Sequence, residues 1–409
     1  MSNRRSWAIV GGKTLLPSGL EDDAVVLVED GVITDIADGT RGHPVLEAGG
    51  RLVLPGMIDL HGDAFERQLM PRPGVHFDMR IALADTDRQL VGNGISSAFH
   101  GVTHSWEPGL RSRDSLVLLM EALEVAQGHL ACDTRLHLRH ETFNLDGEAE
   151  ALSWLAQGRV ALLAFNDHTA DIVQKLDNPL EAMTVLQRTG LGADALKQLA
   201  QRVASRSSEV SASIERLAAA AVAAGVPQAS HDDTTPDVRH WYQGLSCRIS
   251  EFPKNRETAR AARALGNHVV FGSPNVVRGG SHQPNAVGAA TMVAEGLCSV
   301  LTSDYFYPAM LQAPFRLVAD GACSFKDAWA LVSSNAADAA HLHDRGQLAV
   351  GQRADVLVVE PPSAMPARVA LHLIAGRLAH VSMGEPWAPP VAARHKVTSF
   401  TEIASWVEP

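Results

Sequence analysis

Alternating apolar and polar positions mark the two ends of the chain. Residues 24–28 and 32–36 alternate in this way around an Asp30-Gly31 turn, and residues 354–359 and 371–381 repeat the pattern near the other end. A period of two is typical of β-strands that bury one face. Because the two β segments flank one long middle region, we expect a composite β-sandwich domain made from residues 1–54 and 343–385.

The middle of the chain alternates short apolar runs with stretches of helical length, a pattern typical of βα units in a parallel sheet. The longest helical stretch, residues 179–224, is rich in Ala, Leu and Arg and contains few helix breakers. Eight βα units close a barrel of the usual size, so we predict an α/β fold with a (β/α)8 TIM-type barrel over residues 55–342. The candidate barrel strands are 57–61, 95–100, 135–141, 160–166, 226–231, 246–251, 268–271 and 299–303.

Composition and charge limit the classes of partner. The 409 residues are 46% hydrophobic and 20% charged, which is ordinary for a soluble globular protein. A formal net charge of −11 argues against nucleic acid and anionic membranes as partners and leaves a small molecule as the expected one. No apolar run is long enough to span a bilayer. Residues 386–409, punctuated by proline, are predicted to form a C-terminal surface tail.

The cysteines indicate a reducing compartment. Cys132, Cys247, Cys298 and Cys323 show no C-x-x-C spacing, which argues against a disulfide framework and against a thiolate metal site. Near the start, Gly11-Gly12 interrupts the apolar residues too soon for the core of a signal peptide. We therefore expect a cytoplasmic protein.

Several candidate strands finish in a side chain that can bind a metal ion. Active sites of such barrels lie at the carboxyl ends of the strands, so ligands far apart in sequence converge there. Imidazole and carboxylate ligands suit zinc, which we expect first, and also manganese or iron. The candidate ligands are His61, Asp63, Glu141, His168, His231 and Asp304.

Strand alternation supports this interpretation, because successive side chains point to opposite faces of a strand. In the third candidate strand His137, Arg139 and Glu141 share one face, and Leu136 and Leu138 share the other. We expect the leucines to pack against the helical layer. The top of the barrel interior is therefore predicted to be unusually ionic.

Each candidate ligand also has a simpler explanation. A lone histidine such as His168 is more often hydrogen-bonded or on the surface than bound to metal. Glu141 can instead form an ion pair with Arg139 or Arg135, and Asp304 can cap a helix. The metal interpretation rests on their joint occurrence at predicted strand ends.

A two-ion arrangement follows as a hypothesis. His61, Asp63 and Asp304 would bind one ion, His168 and His231 the other, and Glu141 would bridge the two. Two ions a few ångströms apart would lower the pKa of a water between them. Asp304 is then the catalytic residue that accepts the proton of that water.

The sequence resembles a known enzyme family. The run 54–61 and the closing stretch 346–359 are similar to the amidohydrolase superfamily, which joins a barrel to a small β-sandwich built from both chain ends. Four blocks resemble the α-D-ribose 1-methylphosphonate 5-triphosphate diphosphatase family more closely, namely residues 61–74, 231–235, 272–282 and 303–305. The resemblance implies hydrolysis of the 5-triphosphate to a 5-phosphate and pyrophosphate, in phosphonate catabolism.

The resemblance also bears on the site. The metal ligands of the family fall on the six candidate residues, in place of the superfamily's commoner His-x-His with a carboxylated lysine. The loops that carry the matching blocks contain Arg67, Arg72, Arg278 and His282, which we expect to bind substrate phosphates. Members of the superfamily often form homo-oligomers, so we expect one here.

Three alternatives stay open. In the first, the protein is a related enzyme of the superfamily that acts on another phosphoanhydride, because fold and metal ligands do not specify the substrate. A deacetylase or deaminase acting on a C–N bond would use a similar site. Some superfamily members are non-catalytic scaffolds, although six retained candidate ligands argue against that alternative.

Overall fold

The protein was studied as a computed structural model that describes residues 6–72, 74–176, 178–280 and 287–382. The predicted tail, 386–409, and the predicted substrate ligand His282 lie outside the described residues. Among the residues described, no helix is long and apolar enough to cross a membrane.

The two ends of the chain form two small sheets. Their strands are β1 Trp7–Val10, β2 Lys13–Leu16, β3 Gly19–Asp22, β4 Val25–Glu29, β5 Val32–Ala37, β6 Val45–Glu47, β7 Leu52–Pro55, β16 Val356–Glu360, β17 Arg368–Ile374 and β18 Arg377–Val381. One sheet has the strand order β5-β4-β1-β6, and the other has the order β18-β17-β16-β7-β2-β3. Val358 of β16 pairs with Val53 of β7, so the second sheet contains strands from both chain ends.

The two small sheets share one apolar core. Ile9, Val26 and Leu46 of the first sheet pack in the same buried cluster as Val358 and Leu373 of the second. Burial between two sheets explains the alternating pattern at the chain ends, because each strand presents one face to this core. The predicted β-sandwich is confirmed, and the residues at which its domain begins and ends stay a prediction.

The middle of the chain forms the predicted barrel. Eight strands pair in sequence order, and every neighbouring pair is parallel. A bridge between Gly62 and Asp304 joins the eighth strand to the first. The barrel strands are β8 Met57–Gly62, β9 Ile95–His104, β10 Asp133–Glu141, β11 Leu162–Asn166, β12 Gln228–His231, β13 Ile249–Glu251, β14 His268–Gly272 and β15 Val300–Thr302. All eight predicted strands are therefore confirmed.

Helices surround the barrel. The predicted helical stretch 179–224 is three helices rather than one, because Gly190 adopts a φ of +71° that ends the first of them. The helices are α1 Glu66–Leu69, α2 Met79–Gly92, α3 Arg113–Ala126, α4 Glu148–Ala156, α5 Thr169–Lys175, α6 Pro179–Thr189, α7 Ala193–Ala204, α8 Ser207–Ala223, α9 Pro236–Gly244, α10 Arg256–Ala264, α11 Ser273–Arg278, α12 Ala289–Ala294, α13 Pro308–Ala319, α14 Phe325–Ala330 and α15 Ser334–Ala339.

The barrel interior contains a layer of apolar side chains below the candidate site. Buried side chains from several strands pack there, among them Ile58, Phe99, Leu162, Ile249 and Val300. On the outside of the barrel, Leu136 and Leu138 pack in one cluster with residues of α3, α4 and α8, as strand alternation predicts. The polar residues of the strand ends therefore rest on a closed apolar layer.

Candidate metal centre

Two compact groups of metal-binding side chains lie at the carboxyl ends of the barrel strands. One group is His61, His231 and Glu251, and the other is His168, His231 and Asp232. Within each group, one ligand atom per residue lies within 4.8 Å of the others. His231 belongs to both groups, so the two groups share one imidazole ring.

The structure brings together three of the predicted ligands and adds two that the sequence interpretation missed. His61 belongs to β8 and His231 to β12, and His168 lies two residues after the end of β11. Glu251 is the last residue of β13, so the same rule of strand ends was available to find it. Asp232 directly follows β12 and carries a left-handed φ of +62°.

Glu141 is paired with His168. Its Oε1 lies 2.6 Å from His168 Nδ1, and its Oε2 accepts a hydrogen bond of 3.0 Å from the backbone N–H of His168. Burial acts to raise the pKa of Glu141, but His168 outweighs it and lowers the pKa to about 2. Arg135 pairs with Asp133 instead of with Glu141. Glu141 is thus an ionised carboxylate beside the second group, and its bridging role stays a prediction.

Asp63 and Asp304 lie where the first and the eighth strand meet and close the barrel. The backbone N–H of Asp63 donates to the carbonyl of Asp304, and that of Asp304 donates to the carbonyl of His61, each at 2.9 Å. Burial and the like charge of Asp63 raise the pKa of Asp304 to about 7. Tyr307, not Asp304, occupies the N-cap position of α13, so the helix-capping alternative for Asp304 is wrong.

Arg139 places a buried positive charge inside this set of acids. Its Nη1 lies 3.5 Å from Asp63 Oδ2. With the Asn166 amide oxygen turned toward it, Nε and Nη2 of Arg139 both donate to that oxygen at 3.1 Å. A Cβ at Gly101 would lie 3.1 Å from Arg139 Cδ, so glycine there leaves the arginine its room. Arg139 therefore offsets part of the carboxylate charge.

The donor atoms suit a divalent cation. His231 Nδ1 is buried and has no hydrogen-bond partner in the part of the chain that the structure describes. Burying unpartnered acceptors is costly, and coordination of an ion relieves that cost. Mixed imidazole and carboxylate donors fit zinc, manganese or iron. Burial lowers the pKa of His137 to about 3, so its ring is neutral.

Two of the predicted phosphate-binding residues converge above the metal-binding side chains. The guanidinium of Arg67 donates to the backbone carbonyl of Tyr305, and Arg278 Nη1 lies 3.3 Å from the Tyr305 hydroxyl. Arg72 is exposed on a short bridge with Val75 and is not part of this convergence. We call Arg67, Arg278 and Tyr305 the mouth cluster.

The sequence interpretation missed two further arginines near the site. Arg111 donates two hydrogen bonds to Glu66, at 3.0 and 3.1 Å. Arg188 of α6 donates to Glu107 through Nε and Nη2, at 3.0 and 2.6 Å. Both arginines lie in loop and helix segments without a distinctive motif, so no sequence signal identified them.

A large cavity lies at the opposite end of the barrel. Its volume is about 1260 Å³, and its lining includes Asp133, Arg135, Arg159 and Arg353. These arginines are already paired, Arg135 and Arg353 with Asp133 and Arg159 with Glu124. The candidate metal-binding side chains lie at the other end, so the cavity is not the candidate active site.

Comparisons with known proteins show which family the chain is similar to. No family model matches the chain. It is 31% identical over 341 residues to the α-D-ribose 1-methylphosphonate 5-triphosphate diphosphatase of Escherichia coli (strain K12), which covers 81% of this chain and 89% of the relative. A dihydroorotase of Geobacter sp. (strain M21) is 40% identical over 57 residues, 13% of each chain.

Solved structures share the fold at low identity. An amidohydrolase superimposes with a TM-score of 0.61 at 16% identity, over 93% of this chain and all of the other. The 5-methylcytosine deaminase of Klebsiella pneumoniae superimposes with a TM-score of 0.60 at 13% identity, over 94% of this chain and all of the other. The chain therefore belongs to the α-D-ribose 1-methylphosphonate 5-triphosphate diphosphatase family of the amidohydrolase superfamily, and it is a metal-dependent hydrolase.

Proposed function

We propose that the protein hydrolyses α-D-ribose 1-methylphosphonate 5-triphosphate to the 5-phosphate and pyrophosphate. The observation that carries this proposal is the 31% identity to the Escherichia coli diphosphatase over 81% of the chain. The 341 aligned residues outnumber those between the first and the last barrel strand. The reaction breaks the anhydride bond between the α and β phosphates and consumes one water.

We propose that the six predicted residues, His61, Asp63, Glu141, His168, His231 and Asp304, hold the metal, with Asp232 beside them. Zinc is the first candidate, and manganese and iron also suit these donors. A bound divalent ion acts as a Lewis acid toward phosphoryl oxygens and makes water a better nucleophile near neutral pH.

The side chains of the chain have separate tasks in this proposal. Arg67 and Arg278, brought together at Tyr305, bind the anionic triphosphate by charge-assisted hydrogen bonds. Asp304 accepts the proton that the attacking water loses, because its carboxylate lies at the strand ends next to Asp63 and His61. The apolar layer inside the barrel keeps bulk water from reaching the site through the barrel interior.

Hydrolysis of a C–N bond is the competing reaction on this fold. The mouth cluster supports the phosphate substrate, because its two guanidinium groups match an anionic substrate better than a neutral amide. Assembly into a homo-oligomer and a cytoplasmic location stay predictions.

Phosphorus NMR tests the proposal. The metal-loaded protein is incubated with α-D-ribose 1-methylphosphonate 5-triphosphate, with ATP in parallel and a chelator-treated sample as the control. We expect pyrophosphate and the 5-phosphate in equal amounts, and neither after chelation. Cleavage of ATP alone would assign the protein to another phosphoanhydride, and no cleavage of either by metal-containing protein would contradict the proposal.

A further inference from the structure

Glu251 is a buried carboxylate to which the proposed reaction assigns no role. It ends β13, and its side chain is fully buried among the strand ends. Its Oε2 lies 3.1 Å from Nδ1 of His61, a residue 190 positions earlier in the sequence. Its Oε1 lies 3.9 Å from Nε2 of His137. The carboxylate therefore sits between two histidine rings.

His137 has no proton to offer this carboxylate. Its Nδ1 lies 2.9 Å from the carbonyl oxygen of Leu60, and a carbonyl only accepts, so the proton of the neutral ring is on Nδ1. Nε2 of His137 is then a lone pair that faces Glu251 Oε1. Neither of these two atoms has a hydrogen-bond partner among the described residues.

His61 is consequently the one side-chain donor that reaches Glu251 in the described part of the chain. A carboxylate oxygen accepts, so the contact at 3.1 Å requires a proton on Nδ1 of His61. The neutral ring then has its lone pair on Nε2. Nδ1 and Nε2 lie on different edges of the imidazole, so an ion bound at Nε2 is on the side away from Glu251 Oε2.

We propose that Glu251 is a positioning residue for the metal centre, whose carboxylate holds His61 in the Nδ1–H tautomer and turns Nε2 toward the ion. Carboxylates behind ligating histidines fix both the tautomer and the orientation of the ring, and they raise its basicity. The inference rests on the proposed function only in that an ion binds at His61. It does not depend on the identity of the substrate.

This role differs from that of a direct ligand, although Glu251 lies close enough to His61 and His231 to be one. Mutation of a direct ligand removes an ion from its site. Mutation of a positioning residue lowers the affinity for an ion that still binds. The two roles therefore predict different metal content at saturation. The two roles also predict that different nitrogens of His61 bind the metal.

Metal binding to Glu251→Ala and Glu251→Gln proteins tests the inference without substrate. We expect the Glu251→Ala protein to bind metal about 10 to 100 times more weakly in competition with a chromophoric chelator, with unchanged content at saturation. The Glu251→Gln protein should lose less affinity, because its amide oxygen still accepts from Nδ1–H. A missing ion at saturation in the Glu251→Ala protein would overturn the proposal in favour of a direct ligand.

Nitrogen NMR gives a second readout. On 15N-histidine-labelled protein loaded with 113Cd, we expect the proton of His61 on Nδ1 and the coupling to cadmium on Nε2. Coupling to Nδ1 would contradict the inference. Ser250→Ala is the matched control, because Ser250 is buried in the same strand and bonds to Asp233 rather than to His61. Equal loss of metal affinity in that control would mean that loosening of β13, not loss of the carboxylate, is the cause.

If phosphorus NMR then shows no cleavage by the wild-type protein while the metal measurements behave as expected, the substrate proposal fails and this inference stands.

Discussion

The two ends of the barrel both contain buried charge, and they treat it in opposite ways. At the amino end, Asp133 Oδ2 accepts hydrogen bonds from Arg135, Arg345 and Arg353 at 2.9, 2.5 and 3.3 Å. We call these four residues the floor cluster. At the carboxyl end, His231 Nδ1 has no hydrogen-bond partner among the described residues. The amino end therefore supplies its own counter-charges, whereas the carboxyl end leaves a nitrogen that can bind a cation.

The pKa values follow the same division. Burial acts to raise the pKa of Asp133, but Arg135 and Arg345 outweigh it and the pKa is lowered. The pKa of Asp304 is raised to about 7, because burial and Asp63 both oppose its charge and Arg139 offsets them only in part. A buried acid that is fully paired is structural, whereas acids crowded around too few cations mark a place that binds a cation.

Loss of His231 is the sharpest test of this comparison. Because both donor groups include it, we expect His231→Ala to lose metal and at least about 1000-fold in kcat/KM. Metal content by mass spectrometry and a pyrophosphate release assay measure the two effects. His240→Ala is the control, since His240 is an exposed histidine on the next helix. Full metal content in the His231→Ala protein would remove the basis for both donor groups.

Asp355, which contacts the floor cluster through Arg353, gives a pH test. Burial raises its pKa to about 6, although Arg353 lies 3.2 Å away. The folded protein thus holds this proton more tightly than the unfolded chain, and the stabilisation is lost as the pH rises through about 6. The unfolding free energy of the wild type relative to Asp355→Asn should fall by up to about 3 kcal/mol between about pH 4 and pH 7.

Urea denaturation of the two proteins across that range measures the effect, and subtraction removes the contribution of every other titrating group. A difference that stays constant with pH would show that Asp355 is ionised throughout.

Asp133 tests the claim that the floor cluster is structural. Replacing it with asparagine takes from Arg135 its carboxylate partner, while Arg345 keeps Asp344 and Arg353 keeps Asp355. We therefore expect about 1 to 2 kcal/mol less unfolding free energy with unchanged metal content. The exposed pair of Lys13 and Asp22 supplies the control, and Asp22→Asn should cost less than about 0.5 kcal/mol. Loss of metal from the Asp133→Asn protein would show that the floor cluster is needed for metal binding, which would contradict a purely structural role.

The mouth cluster gives the smallest expected effect. Removing Arg278 takes away one charge-assisted contact with a flexible anionic substrate, so we expect Arg278→Ala to raise KM about tenfold with a smaller change in kcat. Arg80→Ala is the matched control, because that exposed arginine is already paired with Asp78. A change confined to kcat would place Arg278 in the chemical step rather than in binding.

Much of the fold followed from local patterns. Strand-length apolar runs predicted all eight barrel strands, because a buried parallel strand is a continuous apolar segment whatever surrounds it. The helical stretch 179–224 was harder, since the breaks near Gly190 and between α7 and α8 depend on how the helices pack. Within the site, the strand-end rule found His61, His168 and His231 but passed over Glu251, which ends a predicted strand.

The pairing of side chains was beyond any local pattern. The carboxylate of Asp59, for example, accepts hydrogen bonds from Thr302, which ends the eighth strand, and from the adjacent Ser303. The register of β8 against β9 shifts between Asp59 and Gly62, and such a shift breaks the alternation of side chains.

The sequence by itself determined the barrel, the small domain made from both chain ends, and the end of the barrel at which the chemistry lies. These features depend on periodicity along one segment at a time, which hydrophobic burial enforces locally. Only the tertiary structure decided that Glu251 faces His61, 190 residues away, and that Arg345 meets Asp133 across 212 residues. Such contacts depend on how the barrel closes and on the register of its strands, and no single segment encodes either one.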